Sequence, residues 1–192
     1  METQDSQKVE TQHRQKVVKH VESWLSDIVI ELNLCPFAKR EYLSKRIRFQ
    51  CSPARSEQEL LQDLVVELAL LKKTPEVETT LLIHPQVLQD FDQYNQFLGF
   101  AEQVIEQMNM QGVYQIASFH PDYQFAGTQI NDAENYTNRA PYPLLHILRE
   151  ASLEKAIEAH SNTEQIPEVN IALMNKLGAK EMAQRLENIV KN

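Results

Sequence analysis

The sequence predicts an α/β fold: a small, mainly parallel three-stranded sheet from βαβαβ units, packed by N-terminal and C-terminal helices. Three short β-favouring runs carry the prediction: Ile47 to Cys51, Thr79 to His84 and Val113 to Phe119. Helical periodicity fills both intervals between them and recurs on either side of the set.

Residues 1–13 are polar and aperiodic and read as a flexible leader, followed by a single domain over 14–192. Val17, Val21, Trp24, Leu25, Ile28 and Leu32 then recur at spacings of four, three, one, three and four, which makes an amphipathic helix. Pro36 disfavours helical geometry at Cys35 and ends it. Ile47 to Cys51 is the first strand. Ser56 with Glu59 three residues on is a capping box, opening a helix whose face is Leu60, Leu61, Leu64, Val65, Leu68 and Leu71. Thr79 to His84, between Pro75 and Pro85, is the second strand. Phe97, Phe100, Ala101, Val104, Ile105 and Met108 line the next helix, Gly112 suits its cap, and Val113 to Phe119 is the third strand. A loop follows, and Pro143 to His160 reads as a helix with proline in its first turn. A further helix reaches Leu177 and stops at Gly178, and Glu181 to Val190 closes the chain as a last amphipathic segment.

A formal charge of -8 and scattered basic residues argue against a phosphate-tracking surface, so no nucleic-acid partner is expected. Lys39, Arg40, Lys45, Arg46 and Arg48 are the nearest approach to a basic patch and read as a solvated face. No stretch approaches the roughly 20 apolar residues that span a bilayer, and the amino terminus lacks the apolar run of a secretory signal. The expectation is a soluble cytoplasmic protein without a membrane partner. Two cysteines, Cys35 and Cys51, are too few for a disulfide framework.

Chemistry concentrates between Phe119 and Glu150, where His, Asp, Tyr and Arg crowd a long aperiodic segment. In a parallel sheet the strand carboxyl ends share one edge, outside which ligands bind. Each end here carries a reactive side chain followed by proline: Cys51-Ser52-Pro53, His84-Pro85 and His120-Pro121. In the predicted helix after the loop, His146, Arg149 and Glu150 share one arc opposite Leu144, Leu145, Ile147 and Leu148. Leu153 and Ile157 continue the polar arc, so the element is expected to be covered on both sides. Its amino terminus, with Arg139 before it, suits an anion. Tyr123, Asn135, Tyr136, Asn138, Arg139, Tyr142, Arg149 and Glu150 are the candidate ligand-binding residues.

Three blocks carry a family resemblance: Asn33 to Ala38, His120 to Gly127, and Asn135 to Pro143 with Leu145, His146, Arg149 and Glu150. They resemble the signature blocks of the uncharacterised bacterial family catalogued as domain of unknown function 1415. The resemblance spans about Val17 to Leu177 and implies a single-domain protein. It supplies no catalytic assignment or cofactor, but it adds weight to Cys35, which the residues alone mark as a small buried hydrophobe.

The leading functional expectation is a small enzyme acting on a small anionic molecule, with His120, Asp122, His146 and Cys35 as catalytic candidates. A divalent metal held by His84, His120, Asp122 and His146 is the cofactor this residue set suits. The alternatives are a non-catalytic small-molecule or cofactor-binding module, and thiol or haem chemistry at Cys35.

Overall fold

Residues 2–159 and 162–191 are described by a computed structural model of the chain. Its strands are β1 (Ile47–Cys51), β2 (Thr79–Ile83), β3 (Tyr114–Phe119) and β4 (Leu144–Arg149), in the spatial order β1-β2-β4-β3. β1 runs parallel to β2, while β4 is antiparallel to both β2 and β3. The α/β class stands, but the sheet is mixed and four-stranded, not three-stranded and mainly parallel. β1, β2 and β3 still point the same way, so their carboxyl ends do share one edge.

The extra strand occupies the first half of the helix predicted over Pro143 to His160. Only Glu150–Ala159 is helical, as α5; the expected end at His160 lies outside the described residues. A central strand covered on both faces is apolar at both parities, so a run such as LLHIL satisfies a helical wheel as well as a pleat. β4 is covered on both sides, but Leu153 and Ile157, from which that coverage was inferred, lie on α5, where Ile157 is exposed.

The helices are α1 (Glu2–Trp24), continued by a π-helical segment Leu25–Ile30, α2 (Ala38–Leu43), α3 (Glu57–Lys73), α4 (Phe91–Gln107), α6 (Ile166–Leu177) and α7 (Ala179–Lys191). Residues 2–13, expected as a flexible leader, belong to the first turns of α1. Ser56 Oγ accepts from the Glu59 N–H at 3.3 Å, as the capping box requires. α4 starts earlier than its apolar face suggested because Asp90 caps it, accepting from the Gln93 N–H at 3.0 Å. Asn109, with φ 53, takes the left-handed position just beyond α4 that was expected of Gly112. Gly178, with φ 84, ends α6 as expected.

The sheet separates two apolar cores. On one face Leu81, Ile83 and Leu144 meet Val17, Val21, Trp24 and Ile28 together with Met174 and Met182. On the other, Leu82, Leu145 and Ile147 meet Leu60, Leu64 and Leu68 of α3 and Tyr94 and Phe97 of α4. Alternation along β4 assigns these sides, so His146 lies with Leu144 on the α1 face.

Arg149 locks the end of β4 to the carboxyl end of α3. Its Nε donates to Val77 O at 3.2 Å, its Nη2 to the carbonyls of Leu71, Thr74 and Val77, and its Nη1 to Tyr114 Oη at 2.9 Å. A cation there meets the negative end of the helix dipole and satisfies carbonyls that have no helical partner. Arg149→Met keeps the aliphatic stem and removes every donor. It is expected to destabilise the fold by about 3 kcal/mol in urea unfolding, the scale of several charge-assisted bonds to half-buried carbonyls; a loss under about 1 kcal/mol would mean that water replaces the guanidinium there.

Candidate functional site

His84 and His120 do meet at the shared strand edge, around Tyr94 of α4. The Tyr94 ring stacks on His84 at 5.8 Å between centroids and lies 5.1 Å from His120. Its hydroxyl donates to Leu144 O at 2.8 Å and accepts from the Phe119 N–H at 3.0 Å, so it joins β3 to β4. His120 is fully buried with both ring nitrogens engaged. Nε2–H donates to Leu88 O at 3.1 Å, and Nδ1 accepts from the Asp122 N–H at 3.0 Å. Leu88 adopts φ 58, a strained conformation for a branched residue, in the turn that presents this carbonyl. Burial holds His120 below the usual imidazole range. His84 is buried, donates from Nδ1 to Val87 O at 2.9 Å, and is pushed down to about 4 by burial. The Asp122 side chain is exposed, joining the pair only through its main chain.

His146 is on the opposite side of the sheet from this pair. The expected metal set of His84, His120, Asp122 and His146 is therefore split by the sheet itself. Among the described residues, no three His, Cys, Asp or Glu side chains are grouped so as to hold a metal ion.

The residues expected to receive an anion are engaged in holding the loop. With β4 in place of a helix, no helix amino terminus follows Arg139. Its guanidinium donates to Tyr123 O at 3.1 Å and Ile130 O at 2.6 Å and lies 4.5 Å above the Tyr136 ring. Asn135, fully buried, accepts from the Phe125 N–H and Thr128 Oγ1 and donates to Gln129 O. Asn138 donates to Ser118 O at 3.1 Å. Tyr123 packs against Phe91 and Phe125, and Tyr142 is hydrogen-bonded to His20 Nδ1 at 2.8 Å. Glu150 opens α5, its N–H donating to Val113 O at 3.0 Å.

The other face holds a cavity of about 240 Å3, bounded by the sheet, the π-helical segment, α2 and α5. Its walls are mainly apolar, with Trp24, Val29, Leu81 and Phe119 among them. The π-helix contributes through five-residue hydrogen bonds, Glu31 N–H to Ser26 O at 3.1 Å and Leu34 N–H to Val29 O at 2.9 Å. Such widened turns recur at functional sites. Trp24 is fixed by donating from Nε1 to Arg139 O at 3.0 Å, so the loop helps to position this wall. Cys35, half-buried, reaches the same cavity just beyond the helix end.

His146 stands in this wall. Paired across the sheet with Leu81 and Ala117, it packs against Phe119 at 6.2 Å between centroids. Among the described residues its ring has no hydrogen-bond partner, and burial alone pushes it down to about 4. The neutral imidazole therefore offers one free donor and one free acceptor inside an apolar chamber.

A family model described as protein of unknown function (DUF1415) matches residues 16–184 of the chain. The chain belongs to this family. No curated protein and no solved structure matches it. In this DUF1415 member, then, the geometry of the chain itself carries the functional reading. Of the residues expected at a site, the structure brings His146 and Cys35 to one cavity, with Arg149 at its margin. It adds Trp24, Glu41 and Glu78, which sequence reasoning had not singled out as site residues. Glu41 and Glu78 have no periodic or motif signal, as each looks like an ordinary surface charge in its segment. Among the described residues, no helix is long and apolar enough to cross a membrane.

Depressed histidines make stability depend on pH, His84 and His146 foremost. An unfolded imidazole titrates near 6.5, whereas His84 and His146 in the fold titrate near 4. Between these values the unfolded chain binds more protons, so their contribution is complete above pH 6.5 and lost as the pH falls toward 4. Urea unfolding across that window should show a steep acid-side loss, and His146→Leu should make it shallower. An unchanged slope in the variant would mean that His146 is readily protonated within the fold.

Proposed function

We propose that this protein binds a small, largely apolar organic molecule in the cavity between β4 and the π-helical segment, with His146 as the polar contact. The observation that carries this reading is the unpartnered neutral imidazole in an apolar wall. The ring is half-buried and without a partner among the described residues, and an occupant with a hydroxyl or N–H would supply one, worth about 0.5–1.5 kcal/mol. The volume, about 240 Å3, falls just below the roughly 300–1,000 Å3 of pockets for drug-sized ligands, so a single ring with a short substituent suits it. A haem macrocycle is larger than this space. The anionic-substrate reading gains no such support, since Arg139 and Arg149 already donate to main-chain carbonyls.

Trp24 is the sole tryptophan and lines the cavity, so its emission reports occupancy. Titration with phenol and with toluene tests the reading. Phenol is expected to bind about tenfold more tightly, the worth of one good hydrogen bond, and His146→Leu should erase or reverse that preference. Saturable binding of neither probe, or an equal response in the variant, would remove the proposal.

Cys35 in the same cavity favours a second reading, in which the thiol acts on the bound molecule and His146 accepts its proton. A stoichiometric burst of 4-nitrophenolate from 4-nitrophenyl acetate, lost in Cys35→Ser, is its signature. Turnover without a burst, or a burst retained in the variant, excludes it.

A further inference from the structure

The cavity has a second polar feature, at the amino ends of β1 and β2, away from the shared carboxyl edge. Glu41 of α2 and Glu78, just before β2, both line it. Arg46, just before β1, lies between them. Its Nη2 bonds Glu78 Oε2, and its Nη1 lies 3.4 Å from Glu41 Oε2. Arg40 Nε bonds Glu41 Oε1 at 2.6 Å, but the Arg40 side chain is largely exposed and its attraction is screened by water. Arg46, with its side chain 39% exposed, is shared between the two carboxylates. Glu41, only 7% exposed, has Oε2 closed to solvent and without a hydrogen bond among the described residues, and Glu78 has Oε1 in the same condition.

The other polar groups around the cavity do not meet this need. Thr79 has given its proton to Ile147 O, and Arg149 has given its donors to Val77, Leu71, Thr74 and Tyr114. Buried carboxylate oxygens without donors are more costly than neutral orphans, and an occupant carrying a donor would relieve that cost. An anion brought there would meet the two carboxylates, and the Arg40 guanidinium beside them is largely exposed and already pairs with Glu41. We infer that the cavity takes a molecule with a protonated amine at one end of a small apolar body, the amine lying against Glu41 and Glu78 and the body against Trp24 and His146. This rests on the cavity reading above and specifies the charge of its ligand, opposite in sign to the small anion that the sequence suggested.

Three isosteric probes separate the inference from the reading beneath it: phenethylamine, ethylbenzene and 3-phenylpropanoate, each titrated against Trp24 emission at neutral pH. Phenethylamine is expected to bind at least about tenfold more tightly than ethylbenzene, consistent with a charge-assisted hydrogen bond, and 3-phenylpropanoate should not saturate. In Glu41→Gln/Glu78→Gln the advantage of the amine over ethylbenzene should shrink below about threefold. If ethylbenzene or the carboxylate equals or exceeds the amine in the unaltered protein, the inference fails and the cavity reading stands. If none of the three binds, both fail. The comparison within the unaltered protein decides the matter even if the double variant does not fold.

Discussion

Everything in this structure follows from one antiparallel insertion, β4 lying between β2 and β3. Without it β2 and β3 would each present an unpaired edge at the middle of the molecule, and buried main-chain groups without partners are rare because each is costly. With it the sheet is continuous, α3 and α4 cover one face, and α1 with α6 and α7 covers the other. The same strand carries His146 into one face and Arg149 onto the end of α3. The candidate site and a main anchor of the scaffold are thus three residues apart on one strand.

The insertion also explains why the chemically richest part of the chain is occupied with structure. Twenty-four residues, 120–143, connect β3 to its antiparallel neighbour, and the turn Ala133–Thr137 within that path packs against α6 and α7. A buried loop cannot leave its carbonyls and N–H groups to water, so side chains must serve them. Asn135 clamps one turn with both ends of its amide, Arg139 ties two carbonyls together, and His120 joins two segments through both nitrogens. Density of polar chemistry marked a place where backbone had to be satisfied. At the cavity an apolar wall surrounds the unpartnered His146 ring, and Glu41 and Glu78 share Arg46.

The cavity and the loop are not independent. Trp24 forms cavity wall while its indole N–H donates to the carbonyl of Arg139, the residue that gathers the loop. Occupancy of the cavity and order in the loop therefore share a physical connection through one ring.

The sequence by itself determined the α/β class, the spans of three strands and most helices, the cap at Ser56 and the stop at Gly178. Those features are local: a period, a cap or a glycine acts within a few residues of itself. It also marked His146 and Cys35, though with other partners. What only the tertiary structure decided was whether LLHIL is helix or strand, since a doubly buried segment erases the period that would tell them apart. It decided as well which polar side chains remain free. A hydrogen bond from Arg139 to Ile130, or from Arg149 to Leu71, is settled by distance in space, and so is the meeting of Glu41 with Glu78 across Arg46. No spacing along the chain encodes these, because each depends on where the inserted strand places the elements around it.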